Sequence, residues 1–207
     1  MRLIEIFLAW LERVTGERNV TPEGGENRSV TTPNDEVRGP TSTVDVSRDV
    51  PDIVVVPSMP DRLSAHFTLT EATVSQTALR CGIDNTPPDH VVRNMIYAAT
   101  HFERVRAVLG HPIHVSSWYR CPELNAAVGG SETSSHMDGY SIDFTCPGFG
   151  PPLVICKALE QHAVMDDIDQ LIHEYGGWVH VSFDLRKRRE KLTFSRRFGK
   201  RVGLVAV

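Results

Sequence analysis

The stretch from Ser134 to Phe144, SSHMDGYSIDF, sets a histidine, His136, and an aspartate, Asp143, seven positions apart around Gly139. A catalytic zinc ion takes three nitrogen or oxygen ligands from protein and keeps a water in the fourth tetrahedral position. A glycine between the pair lets the chain turn sharply enough for both side chains to converge. Two such residues also fit an ordinary polar turn, so a third ligand must be found. Trp178 to Phe183, WVHVSF, offers one. In a strand, Trp178, His180 and Ser182 share one face, and Val179, Val181 and Phe183 share the other. The apolar set reads as core, which leaves His180 on the opposite face as the third candidate.

Other chemistries find less support. No G-x-S-x-G elbow occurs, and no glycine-rich phosphate loop precedes a helix. Cys121 lies beside Arg120, yet no paired histidine motif supports a thiol nucleophile. Cys81, Cys121, Cys146 and Cys156 show no CxxC pairing and read as small buried hydrophobes. His66, His90, His101, His111, His114 and His162 have no partner motif and read as structural.

The elements that would position these residues follow from periodicity. FTLTEATVSQTALRCG has Thr68 or Thr70 as an N-cap and Gly82 as a stop. The longest helix runs from Asp89 to Leu109, with Val92, Met95, Ile96, Ala99, Phe102, Val105 and Leu109 as its apolar stripe and Gly110 as its end. From Pro112 the period changes to two: IHVSSWYR and SIDFTC read as strands. PPLVICKALEQHAV reads as a helix opened by proline. IDQLIHEYGGWVHVSF reads as a hairpin turning at Gly176-Gly177. Helices followed by a small antiparallel sheet predict an α+β domain, with the helices packed on the sheet that carries the site.

The 207 residues are 41% hydrophobic and 23% charged, with a formal net charge of −4. That suits a globular domain with a real core and gives no sign of a nucleic-acid partner. Residues 1–14 place Leu3, Ile4, Phe7, Leu8, Leu11 and Val14 at helical spacing, which predicts an amphipathic helix able to dock on a partner, on the domain or on a membrane face. It is too short to span a bilayer and makes a poor signal peptide. Residues 15–60, rich in Thr, Pro, Gly and acids, read as a flexible polar linker. The folded domain is expected over 61–195 and a basic tail over 196–207. Nine of the 22 Lys and Arg residues fall between Arg186 and Arg201, opposed only by Glu190. Such a run reads as a solvated tail, or as a surface drawn to an anionic cell wall or membrane.

From His66 to Phe183 the chain resembles the zinc peptidases of the D-alanyl-D-alanine carboxypeptidase type, including phage-encoded endolysin-type members that cut peptidoglycan peptides. The matching pieces are LSAHFTLTEAT, RCGIDNTPP, VRAVLGHPIHVSSWYRCPELNAAVGGSETSSHMDGYSIDF and DQLIHEYGGWVHVSF. The signature Ser-x-His-x-x-Gly-x-Ala-x-Asp falls on Ser134, His136, Gly139, Ser141 and Asp143, with Ser141 where the family has alanine. The family's Ser-Gly-Tyr-Arg becomes Ser117-Trp118-Tyr119-Arg120, and Trp118 is expected beside the cleft wall.

The resemblance implies a zinc metallopeptidase in which His136, Asp143 and His180 bind one zinc ion. It implies that Arg120 steadies the substrate carbonyl or the oxyanion. Ser134 is a candidate to bond the substrate, and Tyr119 and Trp178 either wall the cleft or pack in the core. Asn125, Gly129 and Gly130 would shape the loop leading to His136. Glu174 is the expected general base, because related sequences carry a glutamate ahead of the Trp-Val-His strand. Better-studied branches place an acid where this chain has Gly177. A two-residue turn would set His173 opposite His180 and turn Glu174 to the other face; a bulge or longer loop would bring Glu174 onto the site. His173 is therefore the rival base. The expected substrate is a bacterial peptidoglycan peptide, cut by carboxypeptidase or endopeptidase action. A protein made in the cytoplasm would then act at the cell wall. A zinc-containing binding module without activity, as in hedgehog signalling domains, stays open beside the enzyme.

Overall fold

The computed structural model describes residues 61–207. The expected N-terminal helix and linker lie outside the described residues. Five α-helices, one 3-10 turn and six strands follow one another: α1 (Leu69–Thr73), α2 (Gln76–Cys81), α3 (Asp89–Leu109), β1 (His114–Ser117), α4 (Pro122–Ala127), β2 (Ser141–Thr145), α5 (Pro152–Glu160), the 3-10 turn Ala163–Asp166, β3 (Gln170–Glu174), β4 (Trp178–Ser182), β5 (Glu190–Ser195) and β6 (Gly199–Val202). This is an α+β arrangement. None of the described helices is long and apolar enough to cross a membrane.

Helix α3 has the expected bounds. Its C-cap Gly110 adopts the left-handed conformation at φ 62°, where an L side chain would be strained. Val92, Met95, Ala99, Phe102, Val105 and Leu109 are buried as expected, joined by Val91 and Ala98, whereas Ile96 lies partly in solvent. The segment expected as one helix after Phe67 is two short ones. Val74 leaves helical geometry, and Ser75 starts α2 by accepting a hydrogen bond from the Ala78 N–H.

The six strands form one sheet in the order β1-β2-β4-β3-β5-β6. All neighbours are antiparallel except β3 and β5. The sheet is therefore mixed, not wholly antiparallel. β4 already has β2 and β3 on its two sides, so the chain leaving β4 can add a strand only at the far edge of β3. Reversing after β4 makes that strand parallel to β3. The basic run likewise departs from the expected tail: β5 buries Leu192, Thr193 and Ser195, and β6 pairs with β5 beyond residue 195.

One sheet face packs on the helices. Ile142, Phe144, Leu171, Val179 and Val181 are each fully buried there with Phe102, Phe183 and Leu159. Trp118 joins this core at 1% exposure, its ring edge-on to Phe67 and Phe102 with centroids 6.0 Å away in both cases. It does not stand at a cleft wall. Its Nε1–H donates to the Gly139 carbonyl at 2.9 Å. Gly139, at φ 80°, sits so close to α3 that an added Cβ would lie 2.7 Å from Met95 Cγ. The cysteines follow expectation at Cys146 and Cys156, which are buried, and depart from it at exposed Cys81.

Trp118→Ala should destabilise the domain by about 3–5 kcal/mol, the range for emptying a buried aromatic site. Urea denaturation monitored by circular dichroism measures this directly, and a loss below about 1 kcal/mol would contradict the packing described.

Candidate metal centre

The open face of the sheet is built by register. In antiparallel strands, residues directly opposite one another project to the same side. Asp143 on β2 faces His180 on β4, and Ser141 faces Ser182. A bulge in β1 sets Ser117, not Ser116, opposite Asp143. On the other side of β4, Ile172 faces His180 and Glu174 faces Trp178. Asp143, His180, Glu174, Trp178 and Ser117 thus share one face.

His136 arrives from the loop between α4 and β2, held from both ends by the segment after β1. Its Nδ1 lies 2.5 Å from the Trp118 carbonyl, and its own carbonyl accepts the Arg120 N–H at 3.2 Å. Nδ1 must donate to that carbonyl, which leaves Nε2 with a free lone pair facing Asp143. His136 Nε2 is 3.3 Å from Asp143 Oδ1 and 3.3 Å from His180 Nδ1, and His180 Nδ1 is 2.7 Å from Asp143 Oδ1. Among the described residues these three form a group whose ligand atoms all lie within 4.8 Å of one another, and all three are buried. Two imidazole nitrogens and a carboxylate oxygen at one point match zinc in number and chemistry, so the residues fit such an ion.

Charge organises the cluster. Burial lowers the His136 pKa, and the nearby Arg120 charge works in the same direction against Asp143. Burial alone would raise the Asp143 carboxyl, but the charges and hydrogen bonds of His136 and His180 hold it well below the usual carboxylate range. Burial disfavours protonated His180, yet its bond to Asp143 and the carboxylate charge raise its pKa overall. Arg120 closes the centre: Nε donates to Ser117 Oγ at 2.8 Å and Nη2 to Asp143 Oδ2 at 2.5 Å.

Glu174 reaches the site face because the hairpin loop has three residues, Tyr175, Gly176 and Gly177. Tyr175 takes φ 51° and Gly176 φ 72°. A two-residue turn would have put Glu174 on the opposite face. Burial pushes its carboxyl up to about 7, with the Asp143 charge adding to that and His180 and Arg120 opposing it. His173 lies opposite Val179 on the other face, where its Nδ1 bonds the Val205 carbonyl at 2.9 Å.

The remaining expected site residues divide. Trp178 is half-buried on the site face with its ring against Tyr175, and its Nε1 has no hydrogen-bond partner among the described residues. Ser134 lines a surface cavity of about 540 Å³ with Met137, Tyr140 and Asp184; none of the three candidate ligands lines it. Tyr119 takes the packing alternative: it is 5% exposed, packed in the core, with its N–H bonded to the Ala72 carbonyl. Asn125 does shape the loop toward His136, its Nδ2 bonding the Ser131 carbonyl at 2.8 Å. Sequence reasoning named Ser117, Ser141 and Ser182 but gave them no role in the site, and did not single out the buried hydroxyl of Ser135. Alternation along β2 and β4 already set Ser141 and Ser182 on the ligands' face, which was the available signal.

A family model described as Peptidase M15 matches residues 65–182, more than half of the chain. The chain belongs to the peptidase M15 family. M15 peptidases depend on zinc, and the matched segment contains His136, Asp143, His180, Arg120 and Glu174. Membership carries the metallopeptidase class. No curated protein matches the sequence.

Asp143→Asn and His180→Ala should each abolish stoichiometric metal uptake, read by metal analysis after dialysis, whereas His173→Gln should leave uptake unchanged. Loss of metal in the His173 variant would contradict the two-face arrangement of the hairpin.

Proposed function

We propose that this M15 peptidase hydrolyses an amide bond in bacterial peptidoglycan peptides, as a D-Ala-D-Ala carboxypeptidase or a stem-peptide endopeptidase, with one zinc ion held by His136, Asp143 and His180. The observation that carries the proposal is the three-residue hairpin loop, which sets Glu174 on the same face as His180 and Asp143. A module that only binds the wall would have no need for a buried carboxyl poised there. Zinc in this position supplies Lewis acidity to the scissile carbonyl and acidifies a water.

The protein groups supply the rest. As the water oxygen adds to the carbonyl carbon, Glu174 takes the water's proton and delivers it to the departing nitrogen as the C–N bond breaks. A carboxyl near neutrality suits both halves of that transfer. Arg120 stays charged throughout; with Nε on Ser117 and Nη2 on Asp143, its Nη1 is the donor left for the oxyanion. Ser134 accepts or donates a bond to the peptide beyond the reacting carbonyl, and Trp178 forms a wall beside it. The place of action is the cell wall, where this substrate resides.

Digestion of purified peptidoglycan by metal-loaded protein, with mass spectrometry of the products, tests the proposal. The expected result is loss of a terminal D-alanine or a new stem-peptide cut that disappears in His180→Ala and falls at least roughly 100-fold in Glu174→Gln, in line with loss of general base catalysis. No release by protein that carries bound zinc would favour the binding module. The pH profile gives a further check. Glu174 must be ionised to accept a proton, so kcat/KM should rise with pH through an acid limb at or somewhat below about 7, since a bound cation draws the carboxyl down from its metal-free value.

A further inference from the structure

Three serine hydroxyls lie behind His180, away from the point where the ligand atoms meet. Ser141 Oγ is 3.4 Å from His180 Nε2 and 2.6 Å from Ser135 Oγ, and Ser135 Oγ is 3.2 Å from Ser182 Oγ. Ser182 Oγ also accepts the Asp184 N–H at 3.2 Å. Ser141 and Ser182 are fully buried and Ser135 nearly so. They come from β2, β4 and the His136 loop, so this is a chain of hydroxyls spanning three separate segments of the centre.

We propose that Ser141, backed by Ser135 and Ser182, is a positioning residue that accepts the His180 Nε2–H and so presents the Nδ1 lone pair to the metal. The inference rests on the metal-site reading above. A neutral imidazole carries one proton, and a ligating nitrogen must be the bare one. For His180 to ligate through Nδ1, the atom that faces Asp143 and His136, its proton has to sit on Nε2. That nitrogen is buried, and the Ser141 hydroxyl is its hydrogen-bond partner among the described residues.

The relay has a consistent polarity. Ser141 accepts from His180 and donates to Ser135. Ser135 donates to Ser182, whose second lone pair takes the Asp184 N–H. Each bond strengthens the next within a low-dielectric interior. His136 solves the same problem differently, with the Trp118 backbone carbonyl on its Nδ1. His180 Nδ1 lies 2.7 Å from Asp143 Oδ1, so a proton on it would bond that carboxylate; ligation needs the proton on Nε2 instead, held by Ser141, and the two histidines then present opposite ring nitrogens to one point. An alanine at 141 would leave the Nε2–H without a partner and free the ring to adopt the other tautomer.

The test compares wild type with Ser141→Ala and Ser135→Ala in the full chain. Zinc affinity is measured by competition with a chromophoric chelator, and the His180 ring by nitrogen-15 NMR of the metal-free and zinc-loaded forms. Ser141→Ala should weaken zinc binding on the order of 10- to 100-fold, the range for losing an outer partner of a ligating histidine. It should also remove the protected, downfield His180 Nε2–H resonance of the zinc-loaded form. Ser135→Ala, which leaves Ser141 in place, should produce a smaller change in the same direction. Unchanged affinity in Ser141→Ala overturns the proposal, and so does weakened affinity with an unaltered Nε2–H resonance, which would mark a packing effect. Failure of wild type itself to bind zinc would overturn the metal-site reading, and with it this inference.

Discussion

The centre depends on one hydrogen bond, from His136 Nδ1 to the carbonyl of Trp118. It chooses the tautomer of His136, the first candidate ligand, and ties the loop between α4 and β2 to the end of β1. Trp118 is suited to carry it because its own side chain cannot move: the ring lies in the core, and its N–H holds the carbonyl of Gly139, on the far side of His136. A single residue therefore grips the loop at two points by different groups. The bulge in β1 and the close approach of Gly139 to α3 follow from the need to bring that residue inward while Ser117 and Arg120 stay on the open face.

Electrostatics then makes the cluster self-consistent. The buried Asp143 carboxylate is compensated by the His180 imidazole, whose pKa it raises, and by the Arg120 guanidinium. Arrangements of this kind lose more when one partner is removed than the intact set gains, because the survivors remain buried without compensation. The domain therefore carries its site at some cost in stability, and the apolar face of the same sheet, packed on α3 and α5, offsets it.

Much of this was legible in the sequence. Residue type and strand alternation singled out His136, Asp143 and His180, and α3 could be bounded because an apolar stripe and a glycine stop agree. The hairpin register was not legible. Paired glycines point to a two-residue turn, and only the structure has Tyr175 at positive φ with its ring stacked on Phe194. Trp118 was misread because comparison with a glycine-bearing pattern says nothing about which way a larger side chain turns once a strand bulges. Strands β5 and β6 were hidden by their charge. Lys191 and its neighbours keep their heads in solvent or on acids such as Glu160, while alternate positions go inward.

That charged run has a consequence for molecules in company. Among the described residues β6 is the last strand of the sheet, all four of its residues are exposed, and its outer row of backbone donors and acceptors has no strand beside it. Lys200 and Arg201 stand on that border, with Arg196 and Arg197 at the turn before it. Two copies meeting border to border would bring like charges together with no acid between them. The basic stretch thus acts as a guard against fibre-like stacking, strongest in dilute salt and weakened as ions screen it.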